Sequence, residues 1–278
     1  MSNQIDEKKL TYISHNVQSI IDGNTSLPSR EEKRKKYKCG SNYSREEDII
    51  SWTKHLKNLI KEGSEFNEPT DYKVNRKLND KLSLWRGDST KLEIESIVNA
   101  ANSSLLGGGG IDGAIHQAAG DSLFEECIPL LGCHTGETKI TLGHNLPAYY
   151  ILHTVGPVGY KPDELKSCYR SILDLMVKCK IRKIAICGIS TGVFGFPLEL
   201  AVHLALATTR EWLLEGDNLD KVDRIIFVTY LQKEQICYSN LMHTYFPSSI
   251  QDLIQEINDE INTSDEDSYE TETSSDED

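Results

Sequence analysis

From Leu82 onward, short apolar runs alternate with segments of helical period, and this alternation limits the possible folds of the 278-residue chain more than any other feature. Leu82–Trp85 alternates apolar and polar side chains and stops at Gly87. Ser96–Val98, Lys139–Leu142, Tyr149–Val155, Lys183–Cys187 and Val222–Tyr230 read as further strands. Between them, Asp112–Ala119 (continued by Leu123–Leu131), Asp163–Cys179, Leu198–Leu214 and Lys233–Tyr245 read as helices. In Asp163–Cys179 one face carries Leu165, Cys168, Tyr169, Ile172, Leu175, Met176 and Cys179. Strands separated by helices of about ten residues or more imply α/β layering around a mostly parallel sheet. Such sheets hold ligands in the loops beyond the carboxyl ends of their strands.

Two of those loops suit a ligand. The first runs from the strand end Asn99-Ala100-Ala101-Asn102 through Gly107-Gly108-Gly109-Gly110-Ile111-Asp112-Gly113 into a helix bearing His116. Four consecutive glycines are costly in conformational entropy. They are tolerable where the backbone must bend sharply or let a ligand come close, and here they leave N–H groups at the positive end of a helix dipole. The second loop is Gly188-Ile189-Ser190-Thr191-Gly192-Val193-Phe194-Gly195-Phe196-Pro197, again between a strand and a helix. Its glycines permit backbone donors to face a phosphate. Phe194 there either stacks on a sugar face or packs in the core. Gly108, Gly110 and Gly113 formally satisfy G-x-G-x-x-G. They come well after the strand, however, and about 20 residues on stands Cys133 rather than the acid that binds a nicotinamide ribose. No Lys-Ser/Thr pair of a P-loop is present. Two glycine-rich turns at successive strand ends therefore point to a diphosphate cleft, with no cofactor and no metal required.

Gly87-Asp88, Asn99–Asn102, Gly107–Gly113, His116–Gly120, Leu152–Pro157 and Ile189–Pro197 together resemble the signature of the macrodomain family, and within it the MacroD-type ADP-ribosyl hydrolases. The resemblance covers about residues 78–246 in order, and the lysine-rich lead-in Tyr72–Lys81 is similar too. It implies a three-layer α/β/α macrodomain with a mixed, mostly parallel central sheet. It also implies binding of ADP-ribose or O-acetyl-ADP-ribose, and removal of mono-ADP-ribose from acidic side chains of proteins or of the acetyl group from O-acetyl-ADP-ribose. The alternative is a non-catalytic reader of ADP-ribosylated proteins. By resemblance, Asp112 is the catalytic aspartate, Asn102 faces the distal ribose, and His116, four residues on, shares the helix face of Asp112. Asp88 matches the acceptor for the adenine amino group; a turn or cap residue is the plainer reading. Ser89 belongs to the adenine wall, where the family commonly has Ile. Tyr230 either lies against adenine or packs in the core. Asn99, Gly109, Gly110, Ile111 and Gly113 join the ligand-binding set, and Ser190, Thr191, Gly192, Val193 and Phe194 match the loop closing over the diphosphate. Gln117 replaces the more usual Arg after the histidine, removing one positive charge near the site.

The flanks read differently. Residues 1–70 are a polar, partly helical extension, residues 71–247 the macrodomain, and residues 248–278 an acidic, largely disordered tail. From Asn258 to Asp278 there are ten acidic residues and no Lys or Arg. The formal net charge is −13, so the rest of the chain is only mildly acidic. That composition cannot bury a core. Ser264, Ser274 and Ser275 stand in a context for acid-directed phosphorylation, with a plain solubilising tail as the alternative. In the extension, Ser44–Glu62 is expected to be a helix, with Ser44 as N-cap and Glu47 completing a capping box. Ile49, Trp52, Leu56 and Leu59/Ile60 form its apolar face. The basic run Arg30–Lys38, interrupted by Glu31 and Glu32, reads as a solvated helix or linker rather than a nuclear import or nucleic-acid element. Seven scattered cysteines, no apolar segment after Met1 and no membrane-length apolar run point to a reduced protein of cytoplasm or nucleus with no membrane partner; a monomer without direct nucleic-acid binding is expected. Cys127, Cys133 and His134 are the one cluster that resembles a metal fragment, and no C-x-x-C pair accompanies them.

Overall fold

The computed structural model describes residues 12–64 and 72–272, with side chains described to residue 262. Its centre is a six-stranded sheet. The strands are β2 (Leu82–Arg86), β4 (Ser96–Ala101), β5 (Thr138–Leu142), β6 (Tyr150–Val155), β7 (Lys183–Cys187) and β8 (Arg224–Thr229). A separate two-stranded ladder joins β1 (Ser44–Arg45) to β3 (Leu92–Glu93). The large sheet runs β2-β8-β7-β4-β6-β5. All pairs are parallel except β5 with β6. This is the mixed, mostly parallel sheet expected.

The period-2 pattern of the strands divides the core. Val98, Leu152, Ile184, Ile186, Ile225 and Phe227 face one apolar cluster. Their chain neighbours Ile97, Ile151, Ala185, Ile226 and Val228 face another. Burial on both faces is what makes these strands near-continuous apolar runs. The first cluster is covered by α7 (Pro162–Lys178), α8 (Leu198–Leu213) and α10 (Gln232–Tyr245), with the short α9 (Asn218–Lys221) linking α8 to β8. Pro162 at the start of α7, followed by Asp163 and Glu164 in its first turn, suits the free N–H groups of a helix beginning. The second cluster is covered by α5 (Gly110–Ala119) and α6 (Asp121–Cys127). The result is three layers.

The N-terminal segment is woven into this body. It contributes α1 (His15–Ile21), α2 (Arg30–Arg34) and α3 (Trp52–Lys61), with α4 (Arg76–Asn79) leading into β2. The Ser14 N–H bonds the Ile140 carbonyl at 3.1 Å. Trp52 is fully buried, and its Nε1 donates to the Phe246 carbonyl at 3.0 Å. The expected helix over 44–62 is shorter than its pattern. Ser44 pairs with Leu92 in β1, and the helix starts at Trp52, where the Ser51 side chain accepts the Lys54 N–H. Ile49 and Leu56 fit one helical stripe by spacing, yet they lie in different clusters.

The basic run is not a solvated helix. Lys33 is 4% exposed and donates to the His144 carbonyl at 3.0 Å; burial pushes its pKa down to about 8. Arg30 reaches the Pro147 and Ile94 carbonyls and lies over the Tyr149 ring. Arg34 makes a forked pair with Glu93 at 2.8 and 2.6 Å. At the other end, α11 (Ile250–Glu272) begins inside the segment expected to be an unstructured tail. Its first turns bury Leu253 and Ile257 against the first cluster side of the body. Among the residues whose side chains are described, none after Ile257 is buried. Among the described residues no helix is long and apolar enough to cross a membrane.

Candidate active site

Because five strands run parallel, their carboxyl ends open on one edge. There lies a cleft of about 540 Å³, lined by Gly87–Ser89, Ala100, Ala101, Gly109–Ile111, Ala114, Gly156, Cys187, Gly188, Ser190–Phe194, Val228, Tyr230 and Glu234. The two glycine-rich turns therefore meet. Asp88, Ser89, Gly109, Gly110, Ile111, Ser190, Thr191, Gly192, Val193, Phe194 and Tyr230 all line the cleft.

The anion-binding features are physical. Gly109, the N-cap of α5, gives no side-chain cap, and it lines the cleft with Gly110 and Ile111 of the first turn, where a helix start lacks intrahelical partners for its first N–H groups. Facing them, Ser190 sits at φ +63°, a strained conformation for a residue with a Cβ. It is 6% exposed, and its Oγ has no hydrogen-bond partner. The loop of Ser190 is tied back by Phe196 N–H to the Ser190 carbonyl at 2.9 Å and by Gly159 N–H to the Phe194 carbonyl at 2.7 Å. Only glycine fits at 156, since a Cβ there would lie 2.1 Å from Ser190 Oγ.

At the other end of the cleft, Tyr230 is 74% exposed, which rules out core packing. Its backbone N–H and that of Leu231 both donate to Glu234 at 2.9 Å. Asp88 is a turn cap as well as a lining residue: Oδ1 accepts the Thr90 N–H at 3.0 Å and hydroxyl at 2.6 Å. Phe194 is half-buried at the cleft, and the core position in that loop belongs to Phe196.

The remaining candidates lie behind the lining. Asp112 is 2% exposed. Its Oδ1 accepts from Asn99 Nδ2 at 2.8 Å and its Oδ2 from Asn102 Nδ2 at 3.3 Å. Asn102 also donates to the Gly107 carbonyl at 2.8 Å, and its Oδ1 accepts from Ser104, as in an Asx turn. The glycine at 108 matters here. A Cβ would stand 3.1 Å from Asp112 Oδ2 and 2.9 Å from Asn102 Nδ2, too close for either, so glycine lets the turn lie directly against both. His116 Nε2 is 3.6 Å from Asp112 Oδ1, too far for a hydrogen bond, and has no other partner. Burial lowers its pKa against the pull of Asp112, so the ring is uncharged at neutral pH. Asn99 and Gly113 do not reach the cleft. Asn99 is fully buried beneath Asp112, and Gly113 packs under the turn, where a Cβ would meet the Gly108 carbonyl oxygen at 2.3 Å. Gln117 is exposed and does not line the cleft.

Glu234, which lines the cleft, and His153, which is hydrogen bonded to Asn99, were not singled out in the sequence. His153 lay within the quoted Leu152–Pro157 motif, and its β-strand register opposite Asn99 was the missing signal. Cys127 gathers with His116 and His153, not with Cys133 and His134; the ligand atoms of those three lie within 4.8 Å of one another. Both ring nitrogens of His153 are already hydrogen bonded, and burial pushes the Cys127 thiol up to about 12. The group therefore reads as a packed, neutral set rather than an ion cage.

The sequence profile of the Macro domain family matches residues 98–205. Mouse ADP-ribose glycohydrolase MACROD1 is 45% identical over 225 residues, covering 79% of this chain and 68% of that protein. Human ADP-ribose glycohydrolase MACROD2 is 45% identical over 222 residues, covering 78% of this chain and 51% of that protein. Among solved structures, the Trypanosoma brucei macrodomain in complex with ADP-ribose superposes with a TM-score of 0.63 at 35% identity, covering 82% of this chain and 96% of that one.

Proposed function

We propose that this chain, which belongs to the macrodomain family, is a hydrolase that binds ADP-ribose in the cleft and releases it from acidic side chains of proteins or from the acetyl group of O-acetyl-ADP-ribose. The observation that carries the reading is the pairing of two unsatisfied donor sets across one gap. The uncapped N-terminus of α5 and the strained, unpartnered hydroxyl of Ser190 line the same cleft. A buried hydroxyl without a partner is costly, and a diphosphate bridging the two turns satisfies both. Adenine then lies toward exposed Tyr230, within reach of the Asp88 carboxylate, and the distal ribose toward Asn102 and the Gly108 turn.

The chemistry follows from that placement. Asp112, held by two amide donors, takes a proton from a water bound at the ester. The water oxygen adds to the ester, the bond between acyl group and ribose oxygen breaks, and the departing ribose oxygen takes the proton back. Asn102 fixes the ribose, and the uncharged His116, whose Nε2 stands 3.6 Å from Asp112 Oδ1, bounds the position of the water. A positioned general base is worth roughly 10²–10⁴-fold. ADP-ribose brings two negative charges to a mildly acidic body, and backbone N–H groups supply the local positive field. The free thiols of the described residues fit a reducing compartment, cytosol or nucleus. Incubation with a glutamate-linked ADP-ribosylated protein tests the reading. We expect loss of the modification and release of ADP-ribose. An unchanged modification despite tight ADP-ribose binding would mean a reader instead.

A further inference from the structure

Four buried side chains from one helix and three strands form a single hydrogen-bonded line behind the cleft: Asp112 on α5, Asn99 on β4, His153 on β6 and Thr141 on β5. Asn99, His153 and Thr141 are fully buried. The sheet itself sets two of them side by side, because Asn99 and His153 are register partners of adjacent parallel strands.

The protons in the line can be placed by elimination. Asn99 Nδ2 lies 2.8 Å from Asp112 Oδ1 and 3.1 Å from His153 Nδ1. A carboxylate accepts, so the atom facing it is the amide nitrogen, and its second proton goes to His153 Nδ1. His153 Nδ1 therefore accepts, and the ring proton sits on Nε2, where it meets Thr141 Oγ1 at 2.8 Å. The Thr141 hydroxyl proton is in turn committed to the Leu142 carbonyl at 3.2 Å, so Oγ1 can only accept from the ring. Every proton has one place. Burial pushes the pKa of His153 down to about 3, with His116 and His144 adding to the effect, in keeping with the neutral ring that the hydrogen bonds require.

We propose that His153 is a positioning residue for hydrolysis, its tautomer fixed by Thr141, and that it holds the Asn99 amide so that Asp112 keeps Oδ2 turned toward Asn102 beside the Gly108 turn. A proton on His153 Nδ1 would oppose the Asn99 amide protons. The amide would then turn over and set its oxygen against Asp112 Oδ1, and the carboxylate would lose the donor that orients it. The proposal rests on the reading of Asp112 as the base and adds the device that aims it. His153 does not line the cleft, so it acts through Asn99 rather than on substrate.

Two near-isosteric variants separate aiming from packing. In His153→Asn the new Oδ1 stands near the place of the ring Nδ1 and still accepts from Asn99. In His153→Gln the new Nε2 stands near the ring Nε2 and still reaches Thr141, but the acceptor for Asn99 is lost. The full chain, its two histidine variants and Thr141→Val are compared for turnover of a glutamate-linked ADP-ribosylated substrate, for ADP-ribose affinity by calorimetry and for thermal stability. We expect His153→Gln to lower kcat roughly ten- to hundredfold, the usual cost of losing a group that orients a reacting one, with KM and ADP-ribose affinity unchanged. His153→Asn is expected near the wild-type rate, and Thr141→Val to follow the Gln variant. Wild-type kcat in His153→Gln would overturn the proposal. So would equal impairment of both histidine variants, which is the mark of lost packing. If neither histidine variant folds, Thr141→Val decides, and its wild-type kcat would overturn the proposal. A wild-type chain that binds ADP-ribose without turnover overturns the base assignment and this proposal together. Wild-type turnover with indifferent variants overturns only this one.

Discussion

A methyl group added at Gly113 would lie 2.3 Å from the Gly108 carbonyl oxygen, a backbone atom that cannot swing aside. Gly113→Ala therefore has to lift the tetraglycine turn. We expect a loss of about 1–3 kcal/mol in denaturant-melt stability, typical of overpacking, together with weaker ADP-ribose binding in calorimetry. Asp112→Ala acts differently, because Asp112 is behind the lining. ADP-ribose binding is expected to survive while kcat falls roughly 10²–10⁴-fold; a variant hydrolysing at the wild-type rate would remove Asp112 from the role of base. At this scale the sequence was legible where the cleft is built from local motifs. The glycine turns, Asp112, Ser190 and Tyr230 stand in segments whose type shows in a few neighbouring residues. Asn99 was legible by its motif, but its actual work, bridging Asp112 to a histidine 54 positions away, depends on strand register. His153 was hidden for the same reason.

Secondary structure was legible from Leu82 to Tyr245 because burial on two faces and helical period leave strong patterns, and each expected strand and helix there appears within a few residues of its expected limits. The extension was not. Ser44 looks like a helix cap by composition, yet it pairs with Leu92, a partner no local pattern names. Two elements there are open to direct test. Trp52 buries its whole ring and donates to the Phe246 carbonyl, so it clamps α3 to the end of α10. Trp52→Ala is expected to cost about 3–5 kcal/mol in urea unfolding, with ADP-ribose affinity of the folded fraction unchanged. Glu126 on α6 joins α1 to β5: it accepts from Ser14, from His144 Nε2 at 2.5 Å and from the Leu142 N–H at 3.3 Å. Burial alone would raise its pKa, but these donors outweigh burial and hold it below the ordinary glutamate value. A depressed carboxyl pKa stabilises the fold above the unfolded pKa, and that contribution is lost as pH falls through the folded one. Glu126→Gln is thus expected to lower stability by about 1–3 kcal/mol at pH 7. The gap to the wild type is expected to narrow in thermal melts taken below the ordinary glutamate range; a gap that stays constant with pH would show that the carboxylate charge is not what holds the three elements.

Over the whole molecule, composition separates an acidic end from a globular body, and packing redraws the border. Helix α11 contacts α3 through Leu253 and Ile257, with Lys57, Lys61 and Arg76 paired to Glu256 and Glu260 at their edge. Exposed ion pairs contribute little and are screened by salt, so apolar burial holds the helix. High salt is expected to leave it docked, whereas Leu253→Asp is expected to release it, visible as faster amide hydrogen exchange in α3. Likewise the basic residues of α2 are spent on carbonyls, Glu93 and the Tyr149 ring, so this described part of the extension supports the sheet. What the body presents in return is one cleft where two glycine-rich turns converge. The most direct test of that is a crystal structure of the chain grown with ADP-ribose. The account predicts the pyrophosphate between the α5 N-terminus and Ser190, adenine against Tyr230 and the distal ribose at Asn102 beside the Gly108 turn. A ligand lodged elsewhere, or a pyrophosphate touching neither turn, would contradict it.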